Sequence, residues 1–226
     1  MSEWAIAEVV GLLPHASNAT LLAVTESGDF VVYKPARGER PLWDFPLGTL
    51  PLREVLCSEV DAAMGLGVVP ETRLIEGPHG LGSAQRFVPE DPQFDLRTLF
   101  EPELDDRLWS IALLDMVCDN ADRKVGHLLK EEAADQIWAI DNALTFNEDE
   151  KLRTVLWGFA GQQVPPHLDE ALVRLGASLD TLHSRIDELL SAEEADVFAV
   201  RAAAIIEEPV HPLPPTDRPP VPWPVW

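Results

Sequence analysis

Two short runs of apolar, β-prone residues lie close together near the start of the chain, at Leu21–Thr25 and Phe30–Lys34. The sequence ESGD between them suits a tight turn, so this pattern predicts a β-hairpin. A second pair of runs, at residues 73–76 and 81–88, flanks the turn sequence GPHG. Between the pairs, apolar residues recur at helical spacing from residue 52 to 64. The pattern therefore predicts a small N-terminal unit of five short strands and one helix.

The rest of the chain is mainly helical in its pattern. Residues 104–117 are apolar on nearly every side, which is typical of a buried helix. Further helices are predicted at residues 168–175, 179–190 and 192–206, the last opened by a Ser-x-x-Glu capping box. Two short strands, 127–129 and 136–140, are predicted to hold the acidic clusters that flank them side by side. The predicted fold class is α+β, with an antiparallel β-rich N-lobe and a mainly helical C-lobe.

The last eighteen residues contain eight prolines. Such a segment is extended and ends a domain. We expect a frayed tail, with docking of Trp223 and Trp226 on the body or on a protein partner as the alternative. The predicted organisation is an N-terminal lobe at 1–88, a C-terminal lobe at 89–208 and a proline-rich tail at 209–226.

The 226-residue chain carries 39 acidic and 17 basic residues, a net charge of −22. A surface this acidic repels nucleic acids and anionic lipid faces, so we expect neither as a partner. Cys57 and Cys118 both lie in predicted buried helices, which argues against a disulfide or zinc scaffold. No basic signal sequence and no span long enough for a bilayer are found, so we expect a cytoplasmic protein without membrane insertion.

Candidate chemistry lies just past two apolar segments. Asp119, Asn120 and Asp122 follow the first, and Asp141 follows the second. Phosphoryl transfer needs one carboxylate to orient the attacking hydroxyl and another to hold Mg²⁺ at the nucleotide phosphates. Each aspartate alone could equally cap a turn or a strand end.

Two further residues extend this interpretation into the N-terminal lobe. Lys34 ends a predicted strand, where it could contact phosphates or simply be exposed. Glu59 is placed by its helical phase on or beside the buried face, where a carboxylate needs a partner. We therefore predict that Lys34 pairs with Glu59.

The sequences NADR at residues 120–123 and IDNALTF at residues 140–146 resemble the catalytic and metal loops of the phosphatidylinositol 3-/4-kinase-like superfamily. The resemblance is greatest to type II phosphatidylinositol 4-kinases, and it points to an uncharacterised bacterial branch. Ser58-Glu59, followed by VPET at residues 69–72, is similar to a further pattern of that family. The resemblance implies a two-lobed, protein-kinase-like fold.

The resemblance also implies site residues and cofactors. Asp122 would be the catalytic aspartate, Arg123 would steady its loop and Asp141 would bind Mg²⁺ or Mn²⁺. ATP would contact the Lys34–Glu59 pair and the loop before the first hairpin. The resemblance assigns nucleotide binding to five further residues. They are Ser17 and Asn18 in that loop, which contains no glycine, and Gln85, Phe87 and Val88 in the connector beside the adenine.

His127 departs from the family pattern, which has an asparagine metal ligand at this position. Three roles are open: a metal ligand that favours Mn²⁺, a base acting on the substrate hydroxyl, or a remnant in a site that binds nucleotide without turnover. A histidine with no role is the fourth reading. Asn142 is a candidate to replace the lost oxygen ligand.

The loop after the metal aspartate reads NEDEK at residues 147–151. An acidic loop would repel a phosphoinositide head group, so we expect a soluble hydroxyl acceptor, either a protein or a small metabolite. The leading interpretation is an ATP-dependent phosphotransferase. The alternative is a pseudokinase or nucleotide-binding interaction module whose tail contacts a partner.

Overall fold

A computed structural model describes residues 4–13, 19–101 and 104–225 of the chain. Its N-terminal part is a five-stranded antiparallel sheet in the order β1-β2-β3-β5-β4. The strands are β1 (Ile6–Leu12), β2 (Leu21–Thr25), β3 (Phe30–Pro35), β4 (Thr72–Gly77) and β5 (Gly80–Arg86). Both predicted hairpins are confirmed, and β1 is the fifth strand that the pattern did not locate.

The pairing of β3 with β5 brings Lys34 opposite Ser83 in the sheet. Gly82 allows this close approach, because a Cβ there would lie 2.5 Å from the Lys34 carbonyl oxygen. The buried Tyr33 hydroxyl donates a hydrogen bond to the carbonyl oxygen of Gly80. These contacts fix the end of β3 and therefore the backbone that carries Lys34.

The predicted helix is α1 (Leu50–Met64), which ends at Gly65 with a φ of 71°. It packs between the sheet and the helical lobe and is buried on nearly all sides. Arg53 is fully buried and links the lobes, donating to the Thr145 carbonyl oxygen at 2.6 Å and to Glu194 Oε1 at 2.5 Å. Helix α1 therefore buries polar side chains as well as apolar ones, which a simple amphipathic pattern does not predict.

Asp61, near the end of α1, accepts hydrogen bonds from the backbone N–H groups of Val68 (3.0 Å) and Val69 (3.3 Å). Burial raises the pKa of its carboxyl to about 6, against the opposing effect of these two bonds. The folded state therefore binds this proton more tightly than the unfolded state, and the resulting stability is lost as pH rises through about 6.

We expect the free energy of unfolding of the wild type, relative to that of Asp61→Asn, to fall by about 1 kcal/mol between about pH 5 and about pH 8. Urea denaturation at several pH values measures this difference, and Asp169→Asn makes the same change at an exposed site as a control. A difference that stays constant or grows with pH would contradict the assignment.

In the described residues, the C-terminal part contains three α-helices and two short strands. They are α2 (Trp109–Cys118), β6 (Leu128–Lys130), β7 (Ile137–Ala139), α3 (Asp169–Leu189) and α4 (Ala192–Glu207). The helices predicted at 168–175 and 179–190 are one continuous helix, α3, which packs along α4 and α1. The Ser191 hydroxyl accepts from the Glu194 N–H at 3.1 Å, which confirms the predicted cap.

Cys57 and Cys118 are buried free thiols in α1 and α2. Burial raises the pKa of the Cys118 thiol well above its ordinary value, and the adjacent Cys57 raises it further. This disfavours the reactive thiolate. Within the described residues, no helix combines the length and apolar character needed to cross a membrane.

The proline-rich tail is packed on the C-terminal part, so the expectation of a frayed tail is wrong. Its carbonyl oxygens accept hydrogen bonds from the body: Pro209 from Val164, Pro220 from Thr154 and from the Trp157 indole, and Val225 from Val125. Proline lacks an N–H but keeps its carbonyl, so a proline-rich segment can dock as an acceptor. His211 is buried against aromatic rings, Trp223 is 89% exposed, and Trp226 lies outside the described residues.

Candidate active site

Three elements that are distant in the sequence meet at the Lys34 ammonium group. Lys34 Nζ, from the end of β3, contacts the Glu54 carboxylate on α1 and Asp141 Oδ1 at 3.0 Å, just after β7. Burial opposes the charge on Lys34, but Asp141 and Glu54 together raise its pKa above the ordinary value. Lys34 in turn holds the pKa of Asp141 well below its usual range. Lys34 and Asp141 are therefore both charged at neutral pH, and Lys34 contacts Glu54 and Asp141 in one cluster.

The partner of Lys34 is Glu54, so the predicted pairing with Glu59 is wrong. Glu59 lies on another side of α1 and contacts Arg185 on α3, with Nε 3.1 Å from Oε2. Glu54 is 2% exposed and also accepts from the Ser83 hydroxyl at 2.7 Å. The prediction failed because α1 is buried on nearly every side, so its apolar stripe does not identify the side that faces the sheet.

A signal for Glu54 was present in the sequence. Glu54, Ser58 and Asp61 recur at spacings of four and three residues, which places them on one face of a helix. All three are buried. A row of small and acidic side chains on an otherwise apolar helix marks the side that makes specific polar contacts.

Arg123 connects the loop at residues 119–123 to the loop at residues 140–142. It is fully buried and pairs with Asp115 on α2, with Nη2 2.8 Å from Oδ1. The same guanidinium donates to the Ile140 carbonyl oxygen at 2.9 Å and to Asn142 Oδ1 at 2.5 Å. The Ile140 N–H bonds to the His127 carbonyl oxygen at 2.9 Å, so the loops lie side by side. Arg123 therefore holds the backbone on either side of Asp141.

Asn142 is directed away from a role as metal ligand. Its Oδ1 accepts from Arg123, its Nδ2 donates to the Ala139 carbonyl oxygen at 3.1 Å, and it is 1% exposed. It does not line the cavity described below. The prediction that Asn142 replaces the missing oxygen ligand is corrected: its amide is used to hold the loop, which sequence spacing alone could not show.

Asp122 lies at the edge of the site beside Lys124, whose Nζ is 2.9 Å from Asp122 Oδ2. Burial raises the pKa of Asp122, Lys124 lowers it, and the nearby charge of Asp141 raises it again. Asp119, at the C-terminus of α2, accepts from the Lys151 N–H at 2.9 Å and is buried. Of the two aspartates in this loop, Asp122 is therefore the one whose pKa the charge of Asp141 affects, although it does not line the cavity described below.

A cavity of about 320 Å³ lies between the sheet and the β6–β7 pair. Lys34, His127 and Asp141 line it together with the predicted connector residues Gln85, Phe87 and Val88. The Phe87 N–H bonds to the Phe30 carbonyl oxygen at 3.0 Å, and Gln85 Nε2 donates to Thr72 Oγ1 at 2.9 Å. Within the described chain, the Val88 N–H has no backbone partner.

The loop predicted to contact phosphates is described only in part. Ser17 and Asn18 lie outside the described residues. Leu13 and Thr20, on either side of them, line the cavity. The predicted role of Ser17 and Asn18 stays a prediction.

His127 lines the cavity and contacts Asp141, with Nε2 3.3 Å from Asp141 Oδ2. Burial lowers its pKa to about 4, although Asp141 opposes this shift, so the imidazole is neutral at physiological pH. Its Nδ1 is buried and has no hydrogen-bond partner in the described part of the chain.

A divalent cation fits these donors. Asp141 supplies carboxylate oxygen and His127 a neutral imidazole nitrogen, and both are accepted ligands of Mn²⁺ and related ions. The described residues contain no group of three or more His, Cys, Asp or Glu side chains that could enclose a metal ion. Nucleotide phosphates and water would therefore have to complete the coordination, as is usual for Mg²⁺ with a bound nucleotide.

The fold is similar to that of solved kinase structures. The chain superposes on the proinflammatory kinase CtkA of Helicobacter pylori with a TM-score of 0.55 and 14% identity, over 89% of this chain and 91% of CtkA. The Golgi casein kinase matches with a TM-score of 0.55 and 12% identity, over 90% of this chain and 71% of the kinase. A second structure of that kinase holds Mn and ADP. The predicted α+β, kinase-like fold is confirmed.

No protein-family model matches the chain. One curated protein is similar in sequence along nearly the whole length of both chains. Protein Rv2133c of Mycobacterium tuberculosis is 35% identical over 256 aligned positions, which cover 96% of this chain and 91% of the relative. The chain therefore belongs to the family of Rv2133c and has a kinase-like fold.

Proposed function

We propose that this protein is an ATP-dependent phosphotransferase that acts on a soluble hydroxyl acceptor, either a protein or a small metabolite. The observation that carries the proposal is the contact of Lys34 with both Glu54 and Asp141, where Lys34 and Asp141 line one cavity. A lysine held by a helix carboxylate and facing a second carboxylate is the arrangement that positions nucleotide phosphates in kinases. The kinase-like fold supports the same conclusion.

In this proposal the adenine lies against the connector, where the Val88 N–H is available as a donor, and the phosphates lie toward Lys34. Asp141 and His127 would hold Mg²⁺ or Mn²⁺, which supplies positive charge to the phosphates when bound. Arg123 keeps the Asp141 loop in place through Asn142 and the Ile140 carbonyl oxygen.

Asp122 orients the acceptor hydroxyl and receives its proton. The hydroxyl oxygen then forms a bond to the γ-phosphorus, and the bond from that phosphorus to the bridging oxygen breaks, so ADP leaves. The raised pKa of Asp122 favours this transfer, because a more basic carboxylate is a better proton acceptor.

The loop that follows Asp141 favours a soluble acceptor over an inositol lipid. Glu148, Asp149 and Glu150 are all exposed. The basic residue of this loop, Lys151, is drawn away from solvent, with Nζ 2.9 Å from Asp44 Oδ2. The loop therefore presents negative charge, which repels a phosphorylated head group at an anionic membrane surface. The resemblance to type II phosphatidylinositol 4-kinases concerns the catalytic motifs and does not extend to this loop.

The alternative is a pseudokinase or nucleotide-binding interaction module without turnover. It is favoured by His127, which stands where related kinases have an asparagine ligand, and by the direct contact of Lys34 with Asp141, which occupies one of the carboxylate oxygens. A ligand that enters the cavity must separate these two groups before both can contact it.

The proposal is tested by adding ATP with Mg²⁺ or Mn²⁺ to the purified protein. We expect the melting temperature to rise and ADP to form only when nucleotide and metal are both present, with more ADP in Mn²⁺ than in Mg²⁺. Saturation at about 100 times the dissociation constant would stabilise the fold by about 2.7 kcal/mol.

The His127→Asn variant separates the alternatives. We expect it to raise ADP formation in Mg²⁺ relative to Mn²⁺, because an amide oxygen suits Mg²⁺ better than an imidazole nitrogen does. A rise in melting temperature without ADP formation in either metal would instead identify the wild type as a nucleotide-binding module. The absence of any nucleotide effect would refute both.

A further inference from the structure

A second and larger cavity, of about 890 Å³, lies on the C-terminal part away from the charged cluster. One wall is the outer side of α4, a second is the tail at residues 210–213, and a third is the loop at residues 148–152. Its volume is in the range of cavities that accommodate several side chains of a ligand. None of the residues assigned to nucleotide or metal binding lines it.

The outer side of α4 is an apolar face without a partner in the described chain. Helix α4 uses Ala195, Phe198 and Ala202 for the core. Its opposite side carries a second apolar row at residues 197, 200 and 204, a spacing that places these side chains next to each other. Val200 is 72% exposed, and Leu213 across the groove is 73% exposed. These side chains give the groove an apolar floor that the apolar side chains of another molecule can cover.

The rim of this groove is acidic. Glu148, Glu150, Asp196 and Glu208 line it and are all exposed. Glu150 contacts Arg218 at 3.2 Å and Asp196 contacts His183 at 2.7 Å, but within the described residues Glu148 and Glu208 have no ion-pair partner.

Arg201, the basic residue that the structure places in this lining, is already engaged. Its guanidinium is 3.7 Å from Asp119 Oδ2 and donates to the Asn147 carbonyl oxygen at 3.3 Å. The groove therefore combines an apolar floor with a negative rim on which Glu148 and Glu208 have no ion-pair partner within the described residues, and this combination is complementary to apolar side chains flanked by lysine or arginine.

We propose that the groove formed by α4, the tail turn and the 148–152 loop is a docking site for a peptide segment that carries apolar side chains flanked by basic ones. The net charge of −22 acts in the same direction, because it attracts cationic segments over a distance and repels anionic ones. It also disfavours an anionic lipid surface as the occupant.

The position of the groove connects it to the acceptor side of the proposed active site. Its third wall is the loop that follows Asp141, and Asp119, three residues before Asp122, lies in its lining. The Lys151 N–H bonds to Asp119 Oδ2, so this loop and the catalytic loop are joined at the edge of the groove. Resting on the proposed function, the inference is that the docked segment belongs to a protein acceptor.

The test uses a fluorescein-labelled amphipathic peptide of lysine and leucine, with a glutamate–leucine peptide and a lysine–serine peptide of equal length as probes of charge and apolar contact. Binding is measured by anisotropy without nucleotide, so it does not depend on turnover. Val200→Arg places a cation in the groove. Val173→Arg, at a 71% exposed valine on α3 outside the lining, is the matched control.

We expect the lysine–leucine peptide to bind wild type and Val173→Arg alike and to bind Val200→Arg about ten-fold more weakly. The other two peptides should bind at least about ten-fold more weakly than the lysine–leucine peptide. Equal binding to both variants, or equal binding of the lysine–serine peptide, would show attraction to the acidic surface in general and would overturn the proposal.

Circular dichroism shows whether Val200→Arg is folded. A second pair of variants tests the groove independently of that substitution. Glu208→Lys changes the rim, and Glu207→Lys changes an exposed neighbour outside the lining by the same charge. Of these two variants, only Glu208→Lys should weaken peptide binding.

If wild type binds phosphatidylcholine vesicles and not the peptide, and if Val200→Arg abolishes the vesicle binding, the groove is a membrane site and the inference is refuted. Peptide binding in a protein that forms no ADP would refute the proposed function and leave the docking site intact.

Discussion

Asp141→Asn is expected to lower metal-dependent ADP formation by about 10³-fold, the largest effect of any single substitution in the site. Asparagine keeps the size of the side chain but removes the charge that faces Lys34 and His127. Lys34 lowers the pKa of Asp141, so the carboxylate is available in its charged form, the form a divalent cation requires, throughout the neutral range. The amide retains neither property.

The matched control is Asp149→Asn, which makes the same change at an exposed position eight residues further along the same loop region. Its ADP formation should stay within about two-fold of the wild type, since an exposed charge is strongly screened. In Asp141→Asn, the increase in melting temperature that metal adds to ATP should also disappear. Equal activity of the two variants would exclude Asp141 as the metal-side carboxylate.

Much of the N-terminal lobe was predictable because its signals are local. In β2 and β3 a β-prone run, a turn sequence and a second run follow one another within fifteen residues, and the turn determines the register. β1 was missed for an equally local reason. Its pairing with β2 is interrupted by two register shifts, and most of its residues are exposed, so no clean alternation of apolar and polar positions is present.

The helical lobe was predictable as helices but not in its connections. α3 was divided at Gly176 because the apolar pattern weakens there, yet the helix continues since it packs on both α1 and α4. The tail shows the same limit. Its composition excludes regular structure, but composition does not reveal that the carbonyl oxygens of Pro209, Pro220 and Val225 match donors on the body.

In the candidate site, sequence motifs identified several of the polar residues. They did not identify the contacts between side chains, because these depend on how the helices and strands pack. Lys34, Asp141 and His127, which were each singled out in the sequence, line one cavity. The use of the Asn142 amide by Arg123, and of Glu54 by Lys34, depends on contacts 19 and 20 residues apart in sequence that no short-range pattern encodes. Asp115, the buried partner of Arg123, was missed for the same reason.

The choice between Glu54 and Glu59 gives the sharpest test of this geometry. We expect Glu54→Gln to lower ADP formation by about 10²-fold, whereas Glu59→Gln should stay within about two-fold of the wild type. Glu54 contacts Lys34 in addition to Asp141 and is itself fixed by the Ser83 hydroxyl. Without the Glu54 contact, Lys34 is held by Asp141 alone, so Lys34 competes more strongly with the metal for the Asp141 carboxylate.

Glu59→Gln is a close control, because it makes the identical change in the same helix and removes an ion pair with Arg185 that is partly exposed. Partly exposed ion pairs contribute about 1 kcal/mol or less, so its melting temperature should change little. Measurement of kcat and KM for ATP in both variants decides the matter. If Glu59→Gln were the inactive variant, the working state of the enzyme would require a rotation of α1 that brings Glu59 to Lys34, and the cluster described above would belong to a resting state only.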